Sequence, residues 1–171
     1  KKILFVGEEI SFASRYRVEH FREQLHYQGY GSDFYQVDEV KDLDWDAYRA
    51  VVCYRCSRED VVRKVVEQAK KNGLNVYYDI DDLIFDYERI SYLHFLTGSE
   101  YKDFKKTTEQ IHSCMELCDG YFTSTDTLAG EIRREFPGKP VVINRNCASM
   151  EMQILSHDAV EQVEKDPEHI S

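Results

Sequence analysis

The sequence predicts an α/β protein: a doubly wound, Rossmann-like sandwich with a mostly parallel sheet and helices on both faces. Two observations carry that expectation. Short apolar runs rich in Val, Ile, Tyr and Phe recur along the chain, and most are separated by segments of about 10–15 residues whose apolar positions repeat at helical spacing. Strands joined through helices form right-handed βαβ units, and such units pair in parallel. Size is compatible, since a chain of 171 residues buries roughly 68–70 % of the surface its unfolded form exposes.

The elements follow in order. Residues 2–6 (Lys-Ile-Leu-Phe-Val) read as a buried first strand, and Gly7 lets the backbone turn before a helix that keeps Val18, Phe21 and Leu25 on one stripe. Gly29 and Gly31 stop that helix. Residues 33–37 form a short second strand, and the acidic stretch 38–46 reads as a solvated loop. The apolar run 50–54 supplies a third strand. Ser57 is a candidate N-cap for a helix carrying Val61, Val62, Val65, Val66 and Ala69, which Gly73 closes. Residues 74–80 give a fourth strand, 100–118 a helix with Phe104, Ile111, Met115 and Cys118, and 120–123 a fifth strand. Leu128, Ala129, Ile132 and Phe136 mark a further helix ended by Pro137-Gly138, and 140–143 complete a sixth strand. Residues 1–149 are expected to form the Rossmann-like domain and 150–171 a helical linker tail, helix-like over 156–165.

Composition excludes several function classes. The formal charge is −10, with 22 Lys and Arg scattered among 32 acids, so the basic patch that phosphate backbones require is absent and nucleic acid is not an expected partner. No run approaches the roughly 18 apolar residues of a membrane span, and the apolar start is too short before Glu8-Glu9 for a secretory signal. The expected compartment is the cytoplasm. Contact with the inner face of the membrane stays open through Arg63, Lys64, Lys70 and Lys71, whose alternative is a solvated helix face.

The five cysteines, Cys53, Cys56, Cys114, Cys118 and Cys147, include a C-x-x-C pair. Cys53 lies in a strand and Cys114 and Cys118 on a helix, so reduced thiols acting as small apolar side chains suit the odd count better than zinc. No metal site and no cofactor are expected. Neither G-x-G-x-x-G nor G-x-x-x-x-G-K-[ST] occurs, so the sheet need not hold a nucleotide.

In doubly wound sheets ligands bind beyond the carboxyl ends of the strands. Those ends collect Gly7, Glu8, Arg15, Tyr16, Arg17, Arg55, Ser57, Asp79, Asp81, Asp82, Ser124, Asn144 and Asn146. Carboxylates, guanidiniums, hydroxyls and amides in one place suit a sugar or phosphate ligand, which needs donors and acceptors together. The bland alternatives are carboxylates that cap or pair with a neighbouring Arg, a solvated helix face for Arg15 and Arg17, and turn-forming asparagines.

Three stretches in this order resemble a known family: Ser14-Arg15-Tyr16-Arg17-Val18 after a glycine-ended first strand, Tyr78-Asp79-Ile80-Asp81-Asp82-Leu83-Ile84-Phe85, and Phe122-Thr123-Ser124-Thr125 followed by Val141-Val142-Ile143-Asn144-Arg145-Asn146. They look like the N-terminal, acceptor-side domain of GT-B fold glycosyltransferases of the bacterial group 1, family 4-like type. The resemblance implies transfer of a sugar from a nucleotide-sugar donor to a saccharide or lipid-linked acceptor in cell-surface polysaccharide synthesis. It matches Gly7 to a glycine near the reaction centre, Asp81 and Asp82 to an acidic pair after the fourth strand, and Asn146 to the asparagine before the interdomain connection. Asp81 and Asp82 are the implied catalytic residues; Gly7, Glu8, Arg15, Tyr16, Arg17, Arg55, Ser124 and Asn146 the implied substrate-binding set. The donor would bind through a C-terminal domain that 150–171 is too short to form, so the chain is expected to be an inactive fragment. Two other readings stay open: a GT-A type enzyme holding Mn²⁺ or Mg²⁺ on Asp79 and Asp81, and a non-catalytic receiver-like or ligand-sensing module.

Overall fold

The computed structural model describes residues 1–8, 11–40, 43–90 and 98–162. Six strands, β1 (Lys2–Gly7), β2 (Ser32–Gln36), β3 (Tyr48–Tyr54), β4 (Asn75–Asp79), β5 (Gly120–Thr123) and β6 (Val141–Ile143), form one sheet in the order β2-β1-β3-β4-β5-β6. Every pairing is parallel. The fold is α/β with a Rossmann-like parallel sheet, as the alternation of runs predicts.

The helices are α1 (Phe12–Ser14), α2 (His20–Tyr27), α3 (Glu59–Lys71), α4 (Tyr87–Ile90), α5 (Gly98–Leu117), α6 (Asp126–Glu135) and α7 (Met150–Gln162). Two cores reflect the two faces. On one, Val62, Val65, Val66 and Ala69 of α3, Ile111 and Met115 of α5 and Ile132 of α6 pack on Leu4, Val6, Val51, Val76, Tyr78 and Tyr121. On the other, Val18, Phe21 and Leu25 pack on Phe5, Val52 and Tyr54. Right-handed crossovers produce this division, because the chain moves one way from β1 to β2 and the opposite way from β3 to β6. Cys53, Cys56, Cys114 and Cys118 are buried in the first core, where burial contributes to raising each thiol's pKa; they serve as small apolar side chains.

Two local features, the form of the first helix and the cap of α3, differ from the sequence expectation. The first helix is not uniform: α1 and α2 are joined by a π-helical turn, Arg15–Glu19. No helix lies among the described residues between β2 and β3, where two 3₁₀ turns, Val37–Glu39 and Trp45–Ala47, occupy the acidic stretch. Ser57 does not cap α3. Arg58 occupies the N-cap position without a side-chain bond, and the Glu8 carboxylate instead accepts from the amides of Ser57 and Arg58 and from the Ser57 hydroxyl. A carboxylate at a helix N-terminus satisfies orphan amides and complements the dipole, so this long-range cap outcompetes the local hydroxyl.

The tail helix begins at Met150, earlier than the expected 156–165, of which 163–165 lie outside the described residues. Its start is fixed on α2. Ser149 Oγ accepts from the Met152 amide at 3.0 Å, and Glu23 of α2 accepts from the amides of Met150 and Glu151 at 3.2 and 3.4 Å. His20 Nδ1 lies 2.8 Å from the Cys147 carbonyl, onto which it donates. The segment leaving β6 is thereby strapped over the N-terminal helical layer.

Candidate functional site

Register aligns the strand ends in a row, with Gly7 beside Tyr54, Tyr54 beside Asp79 and Asp79 beside Phe122. The residues just beyond that row form the rim on which ligands of such sheets bind. The chain reverses direction between β1 and β3, and a crevice opens at such a switch point. A cleft of about 300 Å³ lies there. Glu8 and Ser11 line it from the end of β1, Tyr54, Arg55 and Ser57 from the end of β3, and Ile84, Thr107 and Ile111 from the β4–β5 connection.

Strand periodicity explains the neighbouring geometry. Within β4, Tyr78 points into the α3–α5 core, which sends Asp79 to the opposite face, towards the π-helical turn. There Arg17, fully buried, meets it in a bidentate pair, Nε to Oδ1 and Nη2 to Oδ2, both 2.8 Å. Arg17 Nη1 also donates to the Asn144 carbonyl and, at 3.0 Å, to Asn146 Oδ1. The fork therefore joins the ends of β4 and β6 to the first helical layer. Burial pushes the Asp79 carboxyl up to about 6, against the pull of the Arg17 guanidinium, so it is ionised at neutral pH. The expectation that Arg17 could lie on a solvated helix face is overturned: it is fully buried, its guanidinium held by Asp79, Asn144 and Asn146.

Arg55 is the one described non-glycine residue with positive φ, 48°. Its amide donates to the Asp79 carbonyl at 3.1 Å, which fixes the turn. The guanidinium pairs with Asp82 through Nη2 and stands 3.6 Å from Asp81 Oδ1 through Nε. That separation is too long for a hydrogen bond. Arg55 Nε, Asp81 Oδ1 and the hydroxyl of the buried Tyr54 are all enclosed without a hydrogen-bond partner. Unmet buried polar atoms are rare, and a left-handed non-glycine residue is strained; both concentrate at binding sites.

The expected site residues separate into three groups. Glu8, Arg55, Asp81 and Asp82 gather at the cleft or its rim, with Gly7 immediately before it in β1. Arg17 and Asn146 are joined to each other and hold the fold's edge together. Arg15 is exposed, Tyr16 stacks edge-on against Phe12 and His20, and Ser124 is buried at the end of β5. Tyr54, Ser11 and Thr107 are lining residues that sequence reasoning did not select; Tyr54 ends an apolar strand and reads as core, although its position directly before Arg55 marks a strand end.

No protein-family model and no curated protein matches this chain. What the site can do follows from its own chemistry. Among the described residues, no group of three or more His, Cys, Asp or Glu side chains could hold a metal ion. Both Asp79 oxygens accept from Arg17, so Asp79 and Asp81 do not present a joint pair of free carboxylates. The cleft offers hydroxyls, one guanidinium and one carboxylate, that of Glu8, in a partly apolar wall, a composition suited to a polyhydroxylated ligand. No described helix is long and apolar enough to cross a membrane.

Proposed function

We propose that this chain is the acceptor-side domain of a two-domain GT-B glycosyltransferase, which moves a sugar from a nucleotide-sugar donor to a saccharide or lipid-linked acceptor in cell-surface polysaccharide synthesis. The observation that supports it most is the polar cleft at the β1/β3 switch point, walled by Ser11, Ser57 and Thr107 hydroxyls and flanked by Arg55 with its two carboxylates. The ordered resemblance of the three strand-end motifs gives the cleft its assignment. In this reading the acceptor lies in the cleft, Asp81 or Asp82 orients the attacking hydroxyl, and the exposed Arg15 meets a phosphate of the donor or of a lipid-linked acceptor. On the same reading the donor is held by the second, C-terminal domain of such enzymes, and the enzyme works in the cytoplasm. The GT-A alternative is less well supported because Asp79 is held by Arg17. The receiver-like alternative needs a free acid after β1, and Glu8 is engaged by the start of α3 while Glu9 lies outside the described residues.

Assaying the full-length protein against a panel of nucleotide sugars tests this. Sugar transfer is expected in the wild type, and Asp81→Asn or Asp82→Asn is expected to lower it by roughly 10²-fold or more, the usual contribution of a positioned acid or base. Undiminished turnover in both variants removes these acids from the mechanism, and no transfer to any acceptor removes the transferase reading.

A further inference from the structure

We infer that Arg17 and Asp79 are positioning residues of the switch-point cleft: their buried pair holds the left-handed turn that presents Arg55 to the cleft and ties that turn to the segment leaving β6. The inference rests on the acceptor-site reading and adds to it the device that sets the site's guanidinium. Arg55 lines the cleft with its side chain 25 % exposed. A non-glycine residue at φ 48° is strained and persists only where its surroundings over-determine it. Three of its contacts belong to the end of β4 and the turn that follows. The Asp79 carbonyl accepts its amide at 3.1 Å, Asp82 grips its guanidinium, and Asp81 stands 3.6 Å from Nε. The end of β4 is itself fixed by the Ile80 amide on the Phe122 carbonyl and by Arg17, which occupies both Asp79 oxygens at 2.8 Å. The remaining Nη1 of Arg17 reaches the Asn144 carbonyl and Asn146 Oδ1. One guanidinium thus spans from the segment leaving β6 to the strand end that carries Arg55.

Stability alone does not call for such a pair. Two charges buried this deeply lose in desolvation about what they gain in attraction, and apolar side chains of similar volume would close the same space. What the ion pair adds is direction, because a filled bidentate fork fixes the carboxylate, and with it the strand end, in one orientation. The turn that bears Arg17 is π-helical, a form that recurs at functional sites. Electrostatics continues the connection. Burial raises the Asp79 carboxyl most, Arg17 and Arg55 both draw it down, and Asp81 pushes it up. Arg17, Asp79, Arg55 and the Asp81 and Asp82 carboxylates therefore alternate in sign from the core out to the rim.

Arginine-selective labelling tests this on the chain itself. Phenylglyoxal is added to the folded protein, and the rate of adduct formation at each arginine is read by peptide mass spectrometry. Arg17→Met with Asp79→Leu removes both charges together and strands neither, so the fold is expected to persist, which melting temperatures check. Arg55 is expected to react roughly three- to tenfold faster in that double variant, the effect of one lost hydrogen bond, while the exposed Arg63 of α3 reacts at its wild-type rate. Asn146→Ala withdraws one acceptor from Arg17 at an exposed residue and strands no charge. It is expected to speed Arg55 roughly two- to threefold, and it keeps the inference testable where the double variant does not fold. An unchanged Arg55 rate in either folded variant overturns the inference, as does an equal acceleration at Arg63, which reports general loosening. Transfer assays on the full-length protein separate the two claims. The double variant is expected to raise the acceptor KM roughly three- to tenfold with a smaller change in kcat. Faster labelling of Arg55 in a protein that transfers no sugar overturns the transferase reading alone. Transfer whose acceptor KM is unmoved in the double variant overturns the positioning role alone.

Discussion

Among the described residues Arg17 is one of the largest fully buried side chains, and it joins two separate pieces of chain: Asp79, and the Asn144 carbonyl with the Asn146 amide oxygen. A buried guanidinium with its fork filled is not by itself a source of stability, because desolvation offsets the attraction. Removing one partner is another matter, since the other charge is stranded. Arg17→Met is therefore expected to cost about 3–5 kcal/mol in urea denaturation. Replacing both, as Arg17→Met with Asp79→Leu, is expected to recover most of that loss. A single substitution that costs less than about 1 kcal/mol would mean that water reaches Asp79 in solution. The partners are 62 residues apart in sequence, which is why the pattern Ser14-Arg15-Tyr16-Arg17 shows an arginine but not its burial. At ordinary helical spacing Arg17 falls one turn before Phe21, at the edge of the apolar stripe, but nothing in the local pattern shows the Asp79 that holds it in the core.

Among the elements, those whose cause is local were legible and those whose cause is distant were not. The apolar runs of β1, β3, β4 and β5 and the Val stripe of α3 carry their own period, and Gly73, at φ 69°, ends α3 as its sequence position suggests. The start of α3 depends on Glu8, 49–50 residues earlier, and Ser57 misleads because it is a good cap in isolation. Glu8→Ala is expected to destabilise the protein by about 1 kcal/mol, while Ser57→Ala costs less, because the Ser57 and Arg58 amides keep their carboxylate. Equal losses in the two variants, measured by thermal melting, would return the cap to Ser57. Gly120 shows the opposite limit. A Cβ there would stand 2.8 Å from Pro140 Cγ and 3.0 Å from the Pro140 carbonyl, where β5 meets β6. Gly120→Ala is expected to cost about 1–3 kcal/mol through overpacking against backbone that cannot retreat, and an unchanged melting temperature would show that the β5–β6 edge yields.

For the whole molecule, the alternation of runs indicates a doubly wound sheet, but the location of the cleft depends on strand order, which places β1 and β3 side by side at the reversal. Strand order also gathers the charges whose titration sets the pH response. Asp79's carboxyl is raised from 3.8 to about 6 by burial, only partly opposed by Arg17. The folded state therefore holds that proton more tightly than the unfolded chain. Its contribution is fully present below about pH 3.8 and is lost as pH rises through about 6. The full difference is about 3 kcal/mol, of which roughly 1 kcal/mol falls between pH 5 and 7. Asp33 and Asp126 act in the opposite sense. Burial raises Asp33, but hydrogen bonds from Tyr48 and Lys2 outweigh it, and Arg145 lowers the exposed Asp126. Stability from these two is present above their ordinary value of 3.8 and lost only as pH falls below it. Between pH 7 and 5 the Asp79 effect thus acts without opposition from them. Urea denaturation of the wild type is expected to show stability rising by roughly 1 kcal/mol from pH 7 to pH 5 relative to the Arg17→Met/Asp79→Leu pair, in which the titrating group is gone. Parallel profiles for the two proteins would show that Arg17 holds Asp79 at an ordinary pKa and that burial does not dominate at the sheet edge.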